Sequence, residues 1–268
     1  MIVNGEAIPR IAAERVARSF VTKRSTVNAL GPLDVSIADR EFVSIVGPSG
    51  CGKSTFLRIV GGILSPSSGR TVVADDQSGR PLSAFVFQDY SVYPWKTVSQ
   101  NVTWTLQVGG MSPREARAQA REWVQRVGLG NFADAYPATL SGGMRQRVAI
   151  ARAFASNPQV LLMDEPFAAL DAQLRTVMQE ELAGLCDAAP RTVVFVTHSI
   201  DEAIILSDTI LVMSASPGTL LARYHVDLDR PRGPSVLNSD EARRLRSGIW
   251  AHLESEVTKT MTEQAVSA

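Results

Sequence analysis

The chain has 268 residues, 45% hydrophobic and 20% charged, which supports a buried core and excludes a disordered or fibrous chain. Basic and acidic residues balance at 27 each, which argues against a nucleic-acid binder held by bulk charge. Two cysteines, Cys51 and Cys186, point to a reducing compartment, and no uncharged apolar run reaches the ~18 residues that span a bilayer.

In chain order, residues 1–20 carry Glu6, Arg10, Glu14, Arg15 and Arg18 and no apolar core of signal-peptide length. A soluble cytosolic chain is expected, with any membrane role supplied through a partner. Glu41–Val46 reads as a strand and Ser54–Val60 as a helix stopped by Gly61 and Gly62. Between them lie Gly47, Pro48, Ser49, Gly50, Cys51, Gly52, Lys53 and Ser54, which fit G-x-x-x-x-G-K-[ST], followed by Thr55. Such glycines let backbone N–H groups converge on phosphate oxygens at a helix N-terminus. Lys53 is expected to reach the outer phosphates and the Ser54 hydroxyl to bind Mg²⁺. A nucleotide-binding loop is the reading.

Ala84–Gln88 is the next strand-like run, and Gln88 at its end is a candidate contact to Mg²⁺ or water. Residues 95–157 read as helical. Ser112-Pro113-Arg114-Glu115 is a capping box, and the stripe Ala116, Ala120, Trp123, Val124, Val127 runs to a stop at Gly128. Leu140-Ser141-Gly142-Gly143 opens a second helix that ends at Asn157-Pro158. Ser141, Gly142 and Gly143 read either as an anion site for a phosphate held by another subunit or as a glycine-softened N-cap.

Val160–Asp164 is an apolar strand ending in Asp164 and Glu165. Strand C-termini are where ligands sit in open α/β sheets. Asp164 is the candidate Mg²⁺ holder, mostly through water, and Glu165 the group that polarises an attacking water. A helix from Asp171, stopped by Ala189 and Pro190, precedes the strand Thr192–Thr197, after which His198 emerges on the edge that carries the phosphate loop. Thr209–Met213 is the last strand-like run, and a helical Asp240–Val257 follows the connector Asp229–Ser235. Most strand runs are apolar and β-branched without alternation, so an α/β core with a mostly parallel sheet is expected.

These motifs in this order resemble the ATP-binding subunit of an ABC transporter, over about residues 10–215. The resemblance rests on Gly47–Thr55, Gln88, Leu140–Gln146, Val160–Glu165, Ala169-Leu170-Asp171 and His198. It implies a RecA-like P-loop core, an antiparallel portion near the N-terminus and an inserted helical subdomain. The implied division is 1–94 with 158–220 as nucleotide-binding core, 95–157 as insert and 221–268 as extension. It further implies ATP as substrate with Mg²⁺, His198 at the γ-phosphate, Phe20 stacked on adenine, and Asp171 in the D-loop. A homodimer would sandwich ATP between one P-loop and the partner's Ser141–Gly143. Integral-membrane permease subunits would be the partners, indirectly a solute-binding protein, with the chain at the cytoplasmic face of the membrane.

Val86-Phe87-Gln88, Tyr93-Pro94-Trp95, Leu140–Arg152 and Pro231-Arg232 look like the nitrate, sulfonate and taurine importer branch. The D-loop departs from the usual pattern in reading Ala168-Ala169-Leu170-Asp171, and Ser216-Pro217-Gly218 stands where Arg-Pro-Gly is common. Membrane contact is expected near Gln88–Thr97, with Tyr93 and Trp95 as anchors or as plain packing. The alternative is a non-transport ABC-type ATPase, nucleic-acid-linked or accessory. The segment between Lys53 and Asp164 has neither extended heptads nor cysteine pairs, so no nucleic-acid partner is expected.

Overall fold

The computed structural model describes residues 2–3, 6–7, 9–22, 25–189 and 191–266. Pro190, expected to help stop a helix, lies outside the described residues. In chain order the elements are β1 (Ile2–Val3), β2 (Glu6–Ala7), β3 (Ile11–Val21), β4 (Thr26–Ile37), β5 (Phe42–Val46), α1 (Lys53–Val60) and β6 (Ser68–Val73). There follow β7 (Ser83–Val86), α2 (Val98–Val108), α3 (Pro113–Arg126), α4 (Gly142–Ala155), β8 (Val160–Asp164) and α5 (Ala172–Ala188). The chain closes with β9 (Thr192–Val196), α6 (Ile200–Leu206), β10 (Thr209–Met213), β11 (Leu220–His225) and α7 (Asp240–Val266). They form two compact units, Met1–Asp76 with Ala183–Ala268, and Gln77–Leu182.

In the first unit, β5 lies between β9 and β10 and runs parallel to both, while β11 pairs antiparallel with β10. Every residue of β5, β9 and β10 is buried. Strands covered on both faces have no solvent side to mark with polar residues, which is why these runs carry no alternation. The parallel directions bring the chain after β5 and after β9 to the same edge of the strands. A second sheet of order β4-β3-β6 is antiparallel throughout. Its register shifts between Ala13 and Val16 and again on either side of Arg18, so no steady period-two pattern marks these strands in the sequence.

Beyond β11, Arg232 donates to the carbonyls of Ile204, Ser207, Val226 and Leu228, and Arg230 pairs with Asp187 and Asp208. Two arginines thereby fasten the segment around Pro231 to the ends of α6 and β11. Helix α7 then packs Ala242, Leu245 and Ile249 against Val46, Ala203, Ile204, Ile210 and Val212. It extends to Val266, past the expected Val257.

In the second unit, β7 and β8 pair in parallel from Ser83↔Val160 to Val86↔Met163. Helix α3 starts where its sequence predicts, but in place of the expected reciprocal capping box the Ser112 hydroxyl itself donates to the Glu115 carboxylate at 2.6 Å. The Glu115 amide donates to the Ser112 hydroxyl at 3.4 Å, and Pro113 occupies the first turn, where its missing N–H is harmless. Helix α2 carries a complete capping box between Thr97 and Gln100. That Thr-x-x-Gln pair is a helix-start signal carried by the sequence itself. The gap-free apolar run of β8 ends on Asp164, fully buried.

Candidate functional site

The loop between β5 and α1 is built for its conformation. Gly50 and Gly52 both have positive φ, +77° and +96°. A Cβ on Gly52 would stand 2.5 Å from the Ala29 carbonyl oxygen, so conformation and space both demand glycine there. Around Gly50 the space is open, with nothing within 4 Å of a built Cβ. The N-terminus of α1 has no side-chain cap. Its orphan N–H groups are the donors an anion uses. Lys53 is buried, and its Nζ donates to the Gly47 and Pro48 carbonyls at 2.8 Å each. Burial pushes the neighbouring Cys51 thiol up, opposed by the Lys53 ammonium. Ser54 and Thr55 follow in the first turn of α1, half-buried.

His198 is exposed two residues beyond β9, on the strand edge where the P-loop leaves β5. The turn that holds it is tied down. Thr197 donates from its hydroxyl to the buried Glu202 carboxylate, and the Ser199 amide donates back to Thr197 at 3.0 Å. Phe20 is 37% exposed on β3, with the Arg18 guanidinium 4.8 Å from its ring centroid. It pairs with Val27, two positions from the Ala29 that touches Gly52. A partly exposed aromatic ring therefore lies beside the strand on which the P-loop rests.

The second unit holds the remaining candidates. Gln88, two residues past β7, donates from Nε2 to Glu165 Oε2 at 3.4 Å. Glu165 has a φ of +48°, a left-handed conformation that a non-glycine residue adopts at a cost of ~1–3 kcal/mol. Such strain concentrates at functional positions. The adjoining Asp164 is buried at the strand end.

Ser141 is the N-cap of α4 and accepts from the Met144 amide at 3.3 Å, while the residue itself stays exposed. A Cβ on Gly142 would stand 2.9 Å from the Tyr90 hydroxyl, and one on Gly143 would stand 2.9 Å from Leu170 Cδ2. The glycines thus admit the loops after β7 and β8 close to the start of α4. Asp171 is exposed and caps α5 by accepting from the Leu174 amide at 2.9 Å. Burial lowers Arg147 below the usual arginine range, and the charge of Asp171 opposes that shift.

The loop expected to meet the membrane subunits has a rigid base. The side chain of buried Asn101 binds Tyr93 through both backbone groups and donates to the Lys96 and Thr97 carbonyls. Arg152 donates to the Ser91 carbonyl at 2.6 Å and stacks its guanidinium 4.4 Å from the Tyr93 ring centroid. Trp95 is 70% exposed, so its indole is not core packing within this chain. Asn101 and Tyr90 escaped the sequence reading, and only their distant contacts reveal them.

Residues 30–168 match the profile of the ABC transporter family. The chain is 48% identical to a taurine import ATP-binding protein, TauB of Rhizobium johnstonii, over 87% of this chain and 88% of that one. It is 37% identical to an aliphatic sulfonates import ATP-binding protein, SsuB of Bacillus thuringiensis subsp. konkukian, over 91% of this chain and 96% of that one. Among solved structures, the dimeric post-hydrolysis state of the ATP-binding cassette MJ0796 bound to ADP and Pi is 33% identical. It has a TM-score of 0.74 and covers 82% of this chain and 100% of the other. With a glycine-determined phosphate loop after a buried parallel strand and relatives aligned along most of their length, the chain belongs to the ABC transporter family.

Proposed function

We propose that this chain is the ATP-hydrolysing subunit of an import system for small sulfonate-type solutes, working as a dimer on separate membrane subunits. The observation that carries the ATPase reading is the P-loop, with Gly52 left-handed and the buried Lys53 amine drawn over its carbonyls. The importer assignment rests on the taurine and sulfonate relatives.

The residues suit a magnesium nucleotide. The loop offers backbone donors, an ammonium and the Ser54 hydroxyl, and in this reading Asp164 and Gln88 would supply hard oxygens of the kind Mg²⁺ prefers. When bound, the ion neutralises developing phosphate charge. In this reading Lys53 moves from the loop carbonyls to the outer phosphates, and Phe20 gives the adenine a stacking face. Glu165 polarises the water, with Gln88 holding its carboxylate, and His198 orients the reaction from the edge after β9. Ser141, Gly142 and Gly143 complete the partner's site, with Asp171 adjoining. No helix among the described residues is long and apolar enough to cross a membrane. In this reading the chain sits peripherally at the cytoplasmic face, held by a permease that meets Tyr93 and Trp95.

The test is co-purification with an integral-membrane partner, followed by reconstitution in proteoliposomes. ATP hydrolysis should rise when a loaded solute-binding protein and taurine or an alkanesulfonate are added outside. Hydrolysis indifferent to permease and solute would overturn the transport reading while leaving the ATPase reading intact.

A further inference from the structure

Helix α7 carries a buried stripe at helical spacing, Ala242, Leu245, Ile249 and the half-buried Leu253. The next position on that stripe is Glu256, a carboxylate only 6% exposed. A buried carboxylate where an apolar side chain would continue the packing is expensive without a hydrogen-bonding task. Its task is visible. Glu256 Oε2 accepts from the Ala215 amide at 2.9 Å.

Ala215 begins the turn between β10 and β11, and that turn is the floor of the phosphate loop. A Cβ on Gly218 would stand 1.8 Å from the Cys51 carbonyl oxygen, so the two backbones are in direct contact. A Cβ on Gly47 would stand 3.0 Å from the Met213 carbonyl oxygen at the start of the same turn. The turn is also laced to β4. The Gly218 amide donates to the Ala29 carbonyl, the Gly31 amide donates to the Gly218 carbonyl, and Ser216 Oγ donates to the Asn28 carbonyl. Ala29 is the residue against which Gly52 packs. Inside the turn, Ser214 Oγ accepts from the Thr219 amide at 2.9 Å.

We infer that Glu256 is a positioning residue for ATP binding: from the C-terminal helix it fixes the 214–219 turn, whose Gly218 lies against Cys51 of the phosphate loop and hydrogen-bonds the Ala29 against which Gly52 packs. The contact chain is continuous, Glu256 to Ala215, Gly218 to Cys51. A charged acceptor holds a backbone N–H more tightly than a neutral one. The C-terminal helix is thereby part of the nucleotide site's support, although it touches no nucleotide-binding residue in this chain of contacts.

This inference rests on the P-loop being the ATP site, and the experiment separates the two. ATP affinity of the full-length subunit is measured by titration with a fluorescent ATP analogue, alongside thermal unfolding, for wild type, Glu256→Ala, Glu256→Gln and Ile249→Ala. Wild type that binds no ATP overturns the site reading itself. With wild type binding, Glu256→Ala should weaken affinity about tenfold, the size set by a lost hydrogen bond to a charged group. Glu256→Gln keeps an acceptor oxygen and should restore most of that affinity. Ile249→Ala empties part of the same helix's packing and should lower the melting temperature with affinity per folded molecule unchanged. Unchanged affinity in Glu256→Ala overturns the inference, as does an equal loss in Ile249→Ala or a failure of glutamine to rescue.

Discussion

The Gln88 amide donates to the Glu165 carboxylate at 3.4 Å, joining the residue past β7 to the residue past β8. Because β7 and β8 are parallel, their C-terminal ends coincide, and two polar side chains separated by 77 positions meet without any local sequence signal. Glu165 reaches that partner from a left-handed backbone.

Glu165→Gln should keep ATP affinity and lower turnover by ~10²-fold or more, since an amide preserves shape but cannot take a proton from water. Phosphate release and nucleotide titration on the same preparation check it. Turnover near the wild-type rate would remove Glu165 from the catalytic role.

Lys53→Ala should weaken ATP binding and nearly abolish turnover. The ammonium already sits against the carbonyls of Gly47 and Pro48 and is the fixed positive charge of the loop. Unchanged affinity by titration would mean that the Gly47–Ser54 loop is not the working site.

Two glycine replacements should move stability in opposite directions. Gly184 lies in α5 with nothing within 4 Å of a built Cβ, so Gly184→Ala should raise stability by about 0.5–1 kcal/mol through helix propensity. Gly218→Ala forces a Cβ into the Cys51 carbonyl and should lower the melting temperature and ATP affinity together. Chemical denaturation of both variants reads the two signs.

Ser141 accepts from the Met144 amide and so caps its own helix, a role typically worth about 1 kcal/mol. The dimer reading asks more of it. Ser141→Arg should spare ATP binding by the monomer and block ATP-driven dimerisation and turnover. In a mixed dimer of Ser141→Arg with Lys53→Ala chains, completion across the interface leaves one site with both halves intact. Activity above both parental homodimers is expected. Crosslinks from position 141 to the P-loop that form only within one chain would sink the sandwich arrangement.

Burial pushes the Cys186 thiol up to about 12, from an ordinary value of 9.0. A folded value raised above the unfolded one contributes stability that is complete below about pH 9 and lost as pH climbs toward 12. Unfolding midpoints followed from pH 8 to alkaline pH should therefore fall more steeply in wild type than in Cys186→Ala. Parallel profiles would show that folding does not raise the thiol above its ordinary value.

The P-loop, the strand ending in Asp164 and Glu165, the Ser112 and Ser141 caps and the buried strands are all contiguous patterns. Each is set by neighbours within a few residues, so the sequence alone determined them. The antiparallel strands β3, β4 and β6 were legible only through family resemblance, because bulges near Arg15 and Arg18 interrupt the alternation that marks a half-buried strand. What tertiary structure decided is which distant groups meet: Gln88 with Glu165, Gly142 with Tyr90, Gly218 with Cys51, Glu256 with Ala215. A hydrogen bond or a close backbone approach depends on atoms within a few ångströms, and strand order and helix packing set those distances. Spacing along the chain carries no record of them.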